Sequence, residues 1–108
     1  MYDPYWLSAT PGFTLRGVKR VAKKIFVIND RINAIDRELA ITRAELEYHR
    51  SINEDAQRDA AVGNYIDREE AGLTRGDVRR FERTIDRLET RKAKLKDKRA
   101  SMLDQLPD

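Results

Sequence analysis

With 108 residues, 38% of them charged, 7% aromatic and none cysteine, the chain is one domain at most, without disulfides or thiolate metal ligands. The formal net charge of +3 is mild, and a composition rich in Ala, Glu, Lys, Arg and Leu points to long helices rather than sheets. No apolar run reaches the length of a membrane span, and the opening "MYDPYWLSATPGF" lacks the basic start of a secretory leader, so a cytoplasmic or virion-associated protein is expected.

Residues 1–13 hold Pro4, Pro11 and Gly12 among Tyr2, Tyr5, Trp6 and Phe13, which resists a continuous helix and predicts an extended aromatic arm. Trp6 and Phe13 are candidate anchors for a partner's pocket, since such side chains dominate binding hot spots. Thr14 is placed to cap a first helix, its hydroxyl accepting from an orphan backbone N–H.

From there the pattern is helical. Val21, Ile25, Ile28, Ile32, Ile35 and Leu39 recur three and four apart, and the register continues through Thr42, Leu46, His49 and Asn53. A second register runs through Val78, Phe81, Ile85, Leu88, Lys92, Leu95, Arg99, Met102 and Leu106. Thr74 and Asp77 have the spacing of a capping box, with Leu73 and Val78 as a hydrophobic staple, which predicts a helix start there. Between the two registers "GNYIDREEAGLT" allows helix 1 to end at Gly63, with a loop up to Leu73, or to run through Gly63 and stop at Gly72; "DREEA" forms helix well and a long loop is the less common connection, so the preferred order is helix 1 over about 14–71, a turn at about 72–74 and helix 2 over about 75–106. The expected fold is all-α, a long, coiled-coil-like antiparallel helical hairpin behind the arm. Folded at that turn, it sets Ile66 near Phe81, Asp55 near Lys92, and Glu47 and Tyr48 near Arg99.

The hairpin so drawn has unequal arms. At 1.5 Å per residue helix 2 spans roughly 48 Å and helix 1 roughly 81 Å, so helix 2 runs out near Ile41. A turn spread over 63–73 extends the pairing only to about Asp30. Exposed aliphatic side chains forgo roughly 1.5–3 kcal/mol each. The seam from Val21 to Leu39 is therefore expected to face another chain, and isoleucine at both seam positions suits three or four parallel strands, a homotrimer or homotetramer.

Charge is distributed unevenly. Arg16, Lys19, Arg20, Lys23 and Lys24 follow one another without an acid and are candidates for phosphate contacts. Residues 45–70 carry eight acids against three arginines, and the stretch from Arg91 to Arg99 is basic again. Catalysis has little to stand on. His49 falls on the seam, where a polar residue sets register, and the chain has no Gly-rich phosphate loop. Glu45 and His49 are four apart, unlike the Glu-x-x-His of di-metal bundles. "RGD" at Arg75 to Asp77 resembles an adhesion tripeptide but falls in the first turn of the expected second helix. The reading is a non-enzymatic assembly or adaptor protein, without cofactor, metal or small-molecule substrate, that binds copies of itself or a larger complex through seam and arm. A small basic nucleic-acid-binding protein is the alternative, and an anionic membrane surface is a weaker one.

Overall fold

The computed structural model describes residues 15–107, all-α, as two helices, α1 (Leu15–Val62) and α2 (Tyr65–Asp104). The arm, with Trp6 and Phe13, lies outside the described residues. No described helix is long and apolar enough to cross a membrane.

The turn sits at Gly63 and Asn64, not at the expected 72–74, and two local interactions put it there. A Cβ at Gly63 would lie 2.5 Å from the Asp59 carbonyl oxygen and would overlap the Asp67 carboxylate, so no larger residue fits without moving backbone. Immediately after it, the Asn64 side-chain oxygen accepts from the Asp67 N–H at 3.2 Å, while the Asp67 carboxylate accepts from the Asn64 N–H at 3.2 Å. This is a reciprocal capping box built on Asn and Asp in place of Ser and Glu. The Arg68 N–H then donates to the Asn64 carbonyl at 3.2 Å and opens α2. Gly72, the expected helix end, has open space where a Cβ would stand and lies inside α2.

With the turn nine residues earlier than expected, α1 and α2 have 48 and 40 residues, and α2 has length enough to reach the early seam. Ile25, Ile28, Ile32, Ile35 and Leu39 are between 2% and 8% exposed, and Val21 is half-buried. The seam expected to await another chain is covered within its own. In α2 the matching positions from Ala71 to Met102 follow the same three-four spacing, with Ala71 and Leu88 buried.

The residues gather into two compact units. One comprises residues 15–34 and 92–107 among those described; in it Arg99 donates to the Asn29 side-chain oxygen at 2.8 Å. Arg99 thus meets Asn29 instead of the expected Glu47 and Tyr48. The other unit, Ile35–Arg91, contains the turn and pairs His49 with Phe81, Asn53 with Thr74 and Arg43 with Glu89. Phe81 therefore faces His49 rather than Ile66, and Asp55 pairs with Arg58 on its own helix.

Two substitutions test this account by urea unfolding of the full chain. Gly63→Ala forces the Asp59 carbonyl to shift and is expected to cost about 1–3 kcal/mol. Ile32→Ala, at a position 5% exposed, is expected to cost about 2–5 kcal/mol, whereas an unpartnered seam residue would lose little.

Candidate functional site

In the unit made of residues 15–34 and 92–107, eleven Lys and Arg stand against three Asp, a net charge of +8; Ile35–Arg91 has eleven Arg against fourteen Asp and Glu, a net charge of −3. All seven lysines of the chain fall in the first unit, and the second is served by arginine alone.

The cationic unit contains an open groove of about 460 Å³ between α1 and α2. Arg20, Lys23, Lys24, Val27, Ile28 and Arg31 line it from α1, three and four residues apart on one face, and Lys98 and Met102 line it from α2, one turn apart. Ile28 is buried, Met102 half-buried and Val27 44% exposed, so the floor is apolar and part of it is wet. Five cations stand around that floor without a carboxylate in the lining, and none of them has an ion pair among the described residues. Arginines of the other unit do find acids: Arg43 bonds Glu89 at 2.6 Å, Arg50 bonds Glu47 at 2.8 Å, and Arg58 and Arg80 pair with Asp55 and Asp77.

Of the residues that sequence singled out for phosphate, the groove brings together Arg20, Lys23 and Lys24; Arg16 and Lys19 are exposed but outside its lining. The basic run of α2 divides, Lys98 facing the groove while Arg99 reaches Asn29. Sequence reasoning passed over Val27 and Arg31. Both continue the helical face of Lys24, at three and seven residues on, but a search for clustered charge does not register an apolar residue or an isolated arginine.

The unit Ile35–Arg91 has a smaller groove of about 170 Å³, lined by Ile52, Asp55, Ala56, Asp59, Asp67 and Glu70. Beside it the seam carries a polar layer. The Gln57 amide donates to the Asn53 side-chain oxygen and to the Ala71 carbonyl, each at 3.0 Å. The Thr74 hydroxyl lies 3.0 Å from that Asn53 oxygen and 3.1 Å from the Ala71 carbonyl, and Arg75 donates to the Gln57 oxygen at 2.9 Å. Thr74, expected to cap a helix, instead serves this layer from within α2. Such a layer favours one register, because sliding either helix leaves its polar groups unpaired.

His49 packs on Phe81, ring centroids 4.7 Å apart, and meets the edge of Tyr48 at 5.6 Å. Its ring is engaged in packing between the helices, and Glu45, four residues before it, is exposed. Among the described residues no three His, Asp or Glu side chains are grouped to hold a metal. The Arg-Gly-Asp tripeptide lies inside α2, with Arg75 on Gln57 and Asp77 on Arg80, rather than at a helix start.

Comparison with protein-family models, with curated proteins and with solved structures finds no match to this chain.

The polar layer and the surface pairs differ in expected weight. Asn53→Ala removes the acceptor shared by Gln57 and Thr74 and is expected to cost about 1–2 kcal/mol in urea unfolding. Arg43→Ala, which breaks an ion pair with both partners about half exposed, is expected to cost less than about 1 kcal/mol.

Proposed function

We propose that the chain is a non-enzymatic assembly or adaptor module whose cationic groove receives an acidic amphipathic helix of a protein partner. The observation that carries this reading is the combination at one place of an apolar floor, Val27, Ile28 and Met102, with a ring of five cations that no described carboxylate satisfies. Each half of that combination excludes something. An open groove does not enclose a small ligand, which ordinarily needs most of its surface buried to bind well. An apolar floor without an aromatic ring in its lining gives a phosphate backbone nothing to bind and a base no face to stack on. A helix with aliphatic side chains one turn apart and glutamates beside them meets both requirements. Its apolar row fills the floor, and its carboxylates reach the rim.

The self-association argued from sequence needed an uncovered isoleucine seam, and with Ile25 to Leu39 buried that route to a trimer or tetramer loses its motive. Nucleic acid remains a second reading for one reason, the net charge of +8 in the same unit. The two readings respond differently to salt. Phosphate binding falls steeply with ionic strength, by one counterion released per contact, whereas apolar burial hardly responds.

The test is fluorescence anisotropy with three probes added to the full chain at several salt concentrations: a synthetic amphipathic helix with leucine rows flanked by glutamate, polyglutamate of equal charge, and a duplex oligonucleotide. The leucine-glutamate helix is expected to bind at least about tenfold tighter than polyglutamate, and Lys24→Glu with Arg31→Glu is expected to weaken it by about tenfold or more. Equal binding of peptide and polyglutamate, with the duplex tightest and steeply salt-dependent, would replace this reading with the second.

A further inference from the structure

The start of α2 matches the helix that the cationic groove requires. Ile66, Glu69, Glu70 and Leu73 stand at i, i+3, i+4 and i+7, so they share one face. Ile66 and Leu73 are each 68% exposed, and Tyr65 beside them is 71% exposed, on a segment whose own seam contacts are made by other residues. Large apolar side chains left in water on an otherwise charged surface mark an interaction site when they cluster, and these cluster within nine residues. Neither Glu69 nor Glu70 has an ion pair among the described residues. The segment thus offers two aliphatic anchors two turns apart, an adjacent tyrosine of the kind that dominates hot spots, and two unpaired carboxylates.

We infer that the groove of Lys24, Val27, Arg31, Lys98 and Met102 takes the Tyr65 to Leu73 face of α2 from a second copy of this chain. The inference rests on the reading of an acidic helical partner given above and names that partner. Ile66 and Leu73 of the incoming molecule cover Val27 and Met102, while Glu69 and Glu70 reach the lysines and arginines of the rim. Charge selects the orientation: the groove's unit is at +8 and the donor unit at −3, so like units of two copies repel at the groove and unlike units attract. The contact joins two different surfaces, so every copy both gives and receives; it closes into a ring or pair where the geometry allows and grows open-ended where it does not.

Two charge-reversed full-length chains test this, each altered only at exposed positions, with circular dichroism to verify that each stays helical. One carries Lys24→Glu and Arg31→Glu and keeps the donor face; the other carries Glu69→Lys and Glu70→Lys and keeps the groove. Light scattering over a concentration series is expected to give the unaltered chain a mass above 12.6 kDa, each variant alone at least about tenfold weaker in self-association, and an equimolar mixture of the two a restored one-to-one complex. As a check independent of charge, Ile66→Ser with Leu73→Ser is expected to abolish association as well. The unaltered chain at 12.6 kDa at every concentration, or variants that associate as it does, would overturn the inference. If that monomer still binds the synthetic leucine-glutamate helix, only the second copy is wrong; if it does not, the proposed function fails with it.

Discussion

A collision that has to be avoided at Gly63 organises much of what the chain presents. Only a residue without a Cβ clears the Asp59 carbonyl there, and the Asn64 and Asp67 side chains then satisfy the first orphan amides of α2. Fixing the turn at that point fixes which residue of α2 meets which residue of α1. The register decides that the isoleucines of α1 are covered at home and that Asn53, Gln57 and Thr74 fall into one hydrogen-bonded layer. It also brings Lys98 and Met102 beside the α1 face of Lys24 and Val27. A seam of apolar residues alone is indifferent to sliding by a heptad, so the polar layer and the capped turn are what make one pairing better than its neighbours.

Both seams were legible in the sequence because each position is tested many times by the same three-four spacing. The turn was not legible, for a specific reason. The chain carries two tetrads that resemble capping boxes, Asn64 to Asp67 and Thr74 to Asp77, and two glycines, Gly63 and Gly72, placed to end a helix before them. The more conventional pair, Thr74 and Gly72, is the one the fold does not use. Thr74 is drawn into the seam by Asn53, and Gly72 stands in open space with no steric demand on it. What separates the candidates is the approach of the Asp59 carbonyl to Gly63, a contact between residues four apart that exists only once the turn has formed. A misplacement of nine residues was enough to make a covered seam look bare.

The candidate site was half legible for a related reason. Runs of like charge are visible in one dimension, so Arg20, Lys23 and Lys24 stood out, but the apolar floor they surround is assembled from both helices and needs the true register. The second register does separate Arg99, which falls on it, from Lys98, which does not. Adjacent residues on a helix point about 100° apart, and here one faces the groove while the other bonds Asn29.

The division of labour between the two cations has a chemical corollary. Arginine, with its planar fork and permanent charge, makes the ion pairs of Ile35–Arg91, while every primary side-chain amine belongs to the other unit. Chemistry directed at lysine, such as acetylation, therefore modifies residues of one unit alone. Complete acylation would remove seven of its eleven cations, taking its net charge from +8 to +1, and would leave the arginine pairs of the other unit intact.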